Sequence, residues 1–132
     1  MSSWIPIDVD GGMKHASSPQ AVRAGDFVFL SSVRGVDPAT QAPIEDPLTQ
    51  FRQGFENIRV VLHGAGLALG DIVKLTIYLK DPGRHRSALD QAWNEAFPGT
   101  PPARSTVRVE AFGAGTDATL ALFDAVAYGP AS

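Results

Sequence analysis

The sequence predicts an α+β domain in which one mixed, six-stranded sheet carries two helices on one face. Two helical patterns each stand singly between strand patterns, which gives the order β-β-β-α-β-α-β-β. Two hairpin signals supply antiparallel strand pairs. A long strand alternates apolar and polar residues, so its sheet is covered by helices on one face only. This combination predicts one mixed sheet with both helices on one face.

Length and composition fit a single domain over 1–132 that is 44% hydrophobic and carries a net charge of −3. The absence of cysteine excludes disulfides, thiolate nucleophiles and cysteine-bound metals. The sequence contains no block of like charge, so it does not predict a nucleic-acid surface. No apolar segment has the length of a membrane span. The N-terminus lacks a basic region followed by an apolar run, so we expect a cytoplasmic protein.

The first three strands lie before residue 33. Alternating apolar residues predict a short strand over 5–9. Gly25-Asp26 is a turn dipeptide between predicted strands at 20–24 and 27–32. The second of these strands is apolar at both parities, which predicts burial on both of its sides.

The first helix begins at a clear signal, because Asp46 is a good N-cap and Pro47 suits the first helical position. Its apolar residues recur at helical spacing, and glycines at 64 and 66 mark its end. We interpret Gly54, inside this helix, as a point where another backbone approaches closely. The apolar stripe consists of Phe51, Phe55, Ile58 and Leu62.

The second half supplies the remaining elements. A strand over 71–80 places Val73 on the same face as its other odd-numbered apolar residues. A helix over 84–97 follows, with a strip of Leu89, Trp93 and Phe97. Strands over 105–112 and 119–128 flank a turn at Gly113-Ala114-Gly115. One face of this sheet is left uncovered, and self-association is the simplest way to cover it.

Arg104 is the first candidate site residue. Pro101 and Pro102 stiffen the chain before it, and a strand pattern begins where it stands. The planar fork of an arginine makes two parallel hydrogen bonds to a carboxylate. Arg104 is therefore a candidate clamp for a small carboxylate, and the alternative is an ordinary surface arginine.

Asp124 is the second candidate, because it is the one carboxylate in an otherwise apolar strand pattern. Such a group is either a general acid or base or the partner of an interface arginine. The chain's three histidines lie far apart in sequence, so we predict no metal site and structural or surface roles for all of them. Ser31 and Ser32 lack the pattern around a serine nucleophile and are interpreted as hydrogen-bond donors at a strand end.

Several segments together resemble the Rid family (YjgF/YER057c/UK114) of enamine and imine deaminases. They include the run from Gln20 to Phe29, Val36-Asp37-Pro38, Trp93-Asn94-Glu95-Ala96-Phe97 and, most specifically, Pro102-Ala103-Arg104-Ser105. The resemblance covers about residues 16–128.

The resemblance implies a chorismate-mutase-like (bacillus type) domain that assembles as a homotrimer around a central barrel, with sites between subunits. It implies that Arg104 and its neighbour Ala103 meet the substrate carboxylate, and that the backbone around Ser31 and Ser32 donates hydrogen bonds. The implied reaction hydrolyses an imine such as 2-iminopropanoate or 2-iminobutanoate to a 2-keto acid and ammonia. No metal or organic cofactor takes part in it.

The sequence also departs from the family pattern. Ser18 stands where a tyrosine is usual, Gln91 where an asparagine is usual, and Leu122 where a glutamate orients the attacking water. Asp124 lies two residues further on, on the same face of a strand, so we hypothesise that it supplies a displaced carboxylate.

Three functions stay open at this point. The first is the imine deaminase just described, and the second is a related deaminase of an amino-muconate-like intermediate. The third is a trimeric protein that binds or senses small carboxylates with little or no activity.

Overall fold

The computed structural model describes residues 3–113 and 118–131, and its elements follow the predicted order. The strands are β1 (Ile5–Ile7), β2 (Ala21–Ala24), β3 (Phe27–Leu30), β4 (Ile72–Lys80), β5 (Ala103–Val109) and β6 (Ala121–Tyr128). The helices are α1 (Pro47–Gly64) and α2 (Pro82–Ala96), and a short 3₁₀ turn spans Leu69–Asp71.

The six strands form one sheet in the order β1-β2-β3-β6-β4-β5. All neighbours are antiparallel except β4 and β5, which are parallel and joined through α2. The mixed sheet of the prediction is confirmed, but β5 and β6 are not neighbours, so the second predicted hairpin was wrong. β5, which carries Arg104, is the last strand at one edge.

Both helices cover the same face of the sheet. The Phe55 ring of α1 lies 6.4 Å from the Trp93 ring of α2 and 4.8 Å from the Phe123 ring of β6. Phe51, Ile58 and Leu75 are fully buried in the same core. We call this side of the sheet the helix face and the other side the open face.

The start of α1 is as predicted, because the Asp46 carboxylate accepts a hydrogen bond from the Thr49 N–H at 3.0 Å. The prediction that another backbone approaches Gly54 was wrong. A Cβ on Gly54 would lie 2.4 Å from the Phe123 ring, so a side chain approaches there instead of a backbone.

Two predicted burial patterns were also wrong. Val28 and Leu30 of β3 are buried, but Phe27 and Phe29 are 42% and 43% exposed because they lie on the open face. In β4, an irregularity between Ile72 and Lys74 shifts the register. Ile72 takes the buried position there, and Val73 is 44% exposed.

The element ends differ from the predictions by a few residues. The strand predicted over 27–32 ends at Leu30, and the one predicted over 105–112 ends at Val109. Of the predicted Gly113-Ala114-Gly115 turn, Ala114 and Gly115 lie outside the described residues. None of the helices described here is both long and apolar enough to cross a membrane.

Candidate functional site

Arg104 lies on the helix face of β5, at the edge of the sheet. The parallel register places it beside Leu75, which is fully buried. Its guanidinium carbon lies 4.7 Å from the centre of the Trp93 ring. Nε donates to Thr106 Oγ1 at 2.9 Å, and Nη2 donates to Asp90 Oδ1 at 3.0 Å. With only 18% of its side chain exposed, Arg104 is held in one orientation.

The ion pair with Asp90 determines which nitrogens of Arg104 are available to bind a carboxylate. Asp90 is 46% exposed and also meets Arg86, whose Nε lies 3.6 Å from Oδ2. Within the described residues, Nη1 of Arg104 makes no hydrogen bond. One nitrogen of Arg104 is thus free for a ligand, and Asp90 has a second cation to pair with if a ligand displaces it.

Gln91 and Ala103 flank this arginine on different sides. Gln91 lies in a shallow groove along α2 together with Asp90, and it donates to Glu95 Oε2 at 3.4 Å. The pKa of Glu95 is lowered chiefly by its hydrogen bond from Arg52. Ala103 lies across from Lys74 on the open face, away from the Arg104 side chain.

A separate cavity of about 320 Å³ gathers three of the predicted site residues, Ser18, Ser32 and Leu122. We call it the loop cavity, because most of its lining comes from the loops before β2 and after β3. Its polar and aromatic lining also includes Lys14, His15, Arg34 and Phe112.

The backbone at the end of β3 offers one donor to this cavity. The Ser31 N–H already bonds to Gln20 O at 2.9 Å, and the Ser31 hydroxyl bonds to Pro19 O at 2.7 Å and lies 3.2 Å from Ser18 Oγ. The Ser32 N–H has no hydrogen-bond partner in the described part of the chain. Of the two predicted donors, Ser32 is therefore the available one.

His15 fixes the Ser32 peptide from the other side. Its Nε2 lies 2.6 Å from Ser32 O, so Nε2 carries the proton and donates. Nδ1 of His15 is buried and has no hydrogen-bond partner among the residues that the structure describes. His15 therefore positions the loop and leaves one unsatisfied nitrogen beside the cavity.

Asp124 lies on the open face of β6, across from Thr76 of β4. As predicted, it shares this face with Leu122, two residues earlier. Its side chain is exposed and is absent from the lining of the loop cavity. No ion pair involving Asp124 is found within residues 3–113 and 118–131.

In one chain, Arg104 and the loop cavity do not meet. Arg104 lies on the helix face of β5, whereas Leu122 lies on the open face of β6 with β4 between them. Two strand spacings alone separate them by roughly 10 Å, before the thickness of the sheet is added. The predicted site residues therefore form two separate groups in one chain.

Sequence reasoning missed seven residues of the loop cavity: Met13, Lys14, His15, Ala16, Ser17, Arg34 and Phe112. His15 was predicted to have a structural or surface role. The available signal for Arg34 was its place in a loop that follows a strand end, where site residues concentrate. No described group of three or more His, Asp and Glu side chains is arranged to hold a metal ion.

Comparison with known proteins agrees with this architecture. Residues 14–119 match the family described as endoribonuclease L-PSP. The chain belongs to the Rid family. A member from Salmonella typhimurium, named 2-iminobutanoate/2-iminopropanoate deaminase, is 43% identical over 94 residues, which are 68% of this chain and 72% of the relative.

Other Rid relatives extend the match. A RutC family protein from Pyrococcus horikoshii is 37% identical over 91 residues, which are 68% of this chain and 71% of that relative. The crystal structure of RidA from an Antarctic Psychrobacter superimposes with a TM-score of 0.87 at 28% identity, covering 95% of this chain and 99% of that one. The resemblance read from the sequence is confirmed at the level of family and fold.

Proposed function

We propose that this Rid protein hydrolyses a small imine or enamine that carries a carboxylate, giving a 2-keto acid and ammonia. The observation that carries the proposal is the fixed geometry of Arg104. Its guanidinium lies on Trp93, two of its nitrogens are held by Thr106 and Asp90, and Nη1 is left unpartnered among the described residues. The Salmonella relative named as an imine deaminase supports the reaction class.

The complete site belongs to two copies of the chain. Arg104 of one copy supplies the carboxylate clamp, and the loop cavity of the next copy supplies Ser18, Ser32 and Leu122. An exposed apolar cluster on the open face supports self-association, because large exposed apolar patches mark interfaces. The cluster consists of Phe27, Phe29 and Tyr128, whose rings are in contact. We propose a homotrimer with three such sites.

The chemistry needs little more than positioning. Water adds to the carbon of the C=N bond, and the tetrahedral adduct then expels ammonia to leave the ketone. An imine carbon is already electrophilic, so a fixed carboxylate and a placed water lower the barrier. The Ser32 N–H is a donor for charge that develops on the adduct. Asp124 is the proposed carboxylate for the water, and Leu122, two residues before it, contributes an apolar side chain to the loop cavity.

The test uses 2-iminopropanoate and 2-iminobutanoate made in situ by a dehydratase, with semicarbazide competing for the imine. We expect the protein to reduce semicarbazone formation because it hydrolyses the imine first. Arg104→Ala should lower kcat/KM by about 100-fold, as for loss of a charge-assisted hydrogen bond pair, and Arg104→Lys should recover part of it. The control is Arg84→Gln, which removes an exposed charge at the start of α2.

A second function, binding of a small carboxylate without catalysis, is favoured by three features of the site. Ser18 and Leu122 replace a tyrosine and a glutamate, and Asp90 already occupies Nη2 of Arg104. If semicarbazone formation is unchanged while a 2-keto acid binds in an Arg104-dependent manner, the binding function replaces the enzymatic one. An amino-muconate-like imine as the preferred substrate is a third outcome of the same assay.

A further inference from the structure

The loop cavity has a one-sided charge. Among the described residues, its lining includes the cations Lys14 and Arg34 and no aspartate or glutamate. The whole chain carries 14 acidic against 11 basic residues, so a cavity without a carboxylate departs from the composition of the protein. Such a lining attracts an anionic ligand group.

The backbone around Arg34 is fixed on several sides. Its N–H lies 3.2 Å from Met13 Sδ, and its carbonyl accepts from Asn57 Nδ2 at 3.0 Å. Gly35 next to it is packed against the Gln50 carbonyl so closely that a Cβ would lie 1.9 Å from that oxygen. Arg34 is thus held in a rigid loop, which a ligand site requires.

The Arg34 side chain has no counter-ion among the residues that the structure describes. Its one side-chain hydrogen bond is a long one, from Nη1 to Thr119 Oγ1 at 3.4 Å. Throughout the described ranges, no carboxylate lies within ion-pair distance of it. A half-buried guanidinium without a partner is costly, and an anion from a ligand removes that cost.

The position of Arg34 ties it to the proposed reaction site. Val33 and Phe123 exchange two backbone hydrogen bonds of 2.8 Å, an antiparallel bridge that makes Arg34 and Leu122 neighbours. Leu122 offers no charge, so it leaves Arg34 uncompensated. The free Ser32 N–H lies two residues before Arg34 and lines the same cavity.

We infer that Arg34 binds a second carboxylate, so that the favoured substrate is the imine of a 2-oxo dicarboxylic acid. The inference rests on the proposed function: Arg104 of the adjoining copy holds the carboxylate next to the imine carbon, and Arg34 holds the distal one. One water is consumed and one ammonia released, and both carboxylates remain unchanged. A cavity of about 320 Å³ is large enough for a chain of four or five carbons.

The experiment compares two substrate pairs by two readouts. Hydrolysis of 2-iminoglutarate, made from glutamate by an amino-acid oxidase with catalase present, is compared with that of 2-iminobutanoate. Binding of 2-oxoglutarate and of 2-oxobutanoate is measured by calorimetry, which needs no turnover. The variants are Arg34→Gln and Arg34→Lys, with Arg84→Gln as the matched loss of one positive charge elsewhere.

We expect the wild type to prefer the dicarboxylates in both readouts. Arg34→Gln should weaken 2-oxoglutarate binding by about 10- to 100-fold and change 2-oxobutanoate binding by less than about twofold, as for loss of one charge-assisted contact. Arg34→Lys should retain part of the preference for dicarboxylates, and Arg84→Gln should retain all of that preference. Inorganic phosphate should compete with 2-oxoglutarate weakly, because the site is proposed for a carboxylate.

The outcomes separate the two proposals. Equal use of mono- and dicarboxylates by the wild type, or equal weakening of both by Arg34→Gln, overturns the role of Arg34 and leaves the deaminase proposal standing. Selective, Arg34-dependent binding without any hydrolysis overturns the deaminase and retains the second carboxylate site. Strong competition by phosphate overturns the choice of carboxylate.

Discussion

At the scale of single residues, Arg104 owes its orientation to three neighbours from two elements. Trp93 and Asp90 come from α2, and Thr106 comes from β5 itself. Arg104 is therefore ordered in the absence of a ligand, which reduces the loss of side-chain conformational entropy on binding. Asp124 has no comparable support, since it is exposed on the open face.

The role of Asp124 is testable with a nearly isosteric change. We expect Asp124→Asn to lower kcat for imine hydrolysis by about 100-fold with little change in KM, because a general base acts in the transition state more than in binding. Steady-state kinetics by semicarbazide competition measures both constants. Asp10→Asn, on the exposed N-terminal loop, is the matched control. Full activity of Asp124→Asn would remove Asp124 from the mechanism.

At the scale of elements, the packing of α1 against β6 depends on the absence of a side chain at position 54. We expect Gly54→Ala to lower the free energy of unfolding by about 1–3 kcal/mol, because its methyl group overpacks the Phe123 ring. Urea denaturation gives the value. Gly83→Ala in α2 is the control, because no atom lies within 4 Å of its added Cβ. It should stabilise by roughly 0.5–1 kcal/mol. A Gly54→Ala variant more stable than the wild type would contradict this prediction and show that Phe123 moves to make room for the methyl group.

The same helix carries a pH-dependent cap. Hydrogen bonds from the Thr49 hydroxyl and N–H hold the pKa of Asp46 below its usual range. A carboxyl with a depressed folded-state pKa stabilises the protein above its unfolded-state pKa, near 4, and loses that contribution as the pH falls further. We expect Asp46→Asn, which keeps an N-cap acceptor, to match the wild type at pH 7 and to lose less stability below pH 4. Urea midpoints from pH 7 to pH 3 measure this.

The pH dependence of stability that remains in the Asp46→Asn variant comes from other carboxyl groups. Arg59 lowers the pKa of Glu56, and Arg52 lowers that of Glu95, so both add to the loss in acid. Identical pH profiles for Asp46→Asn and the wild type would rule out a contribution from the cap.

The limits of sequence reasoning are clearest in β5. The element order, the cap of α1 and the shared face of Leu122 and Asp124 followed from local patterns, because these depend on neighbours in sequence. In β5, however, the apolar Val107 lies on the open face at 42% exposure, and Arg104 lies on the helix face. The strand pattern alone does not reveal this orientation, because the contact of Arg104 with Trp93 joins β5 to α2.

The loop cavity was unpredictable for a related reason. Arg34 reaches Leu122 only through an isolated bridge between Val33 and Phe123, 90 residues apart in sequence. No periodic pattern records such a pairing. The exposure of Phe27 and Phe29 likewise follows from their place on the open face, which the strand pattern alone does not reveal.

At the scale of the whole molecule, the open face predicts assembly. We expect the purified protein to have the mass of a homotrimer by light scattering, and Phe29→Asp to shift it towards the monomer, because a charge would replace an exposed ring at the interface. Ile5→Asp is the control: Ile5 is 64% exposed but lies on the helix side of the edge strand β1. A monomeric wild type, or equal effects of the two variants, would contradict this interface.

Our central claim is that one site combines Arg104 of one copy with the loop cavity of the next. The most direct test mixes two inactive variants, Arg104→Ala and Ser18→Trp, the latter filling the cavity with an indole, by joint unfolding and refolding. Random assembly of equal amounts gives about a quarter of the sites an intact arginine and an intact cavity, so we predict about a quarter of wild-type imine hydrolysis. Activity no greater than that of the separately refolded variants would contradict a shared site.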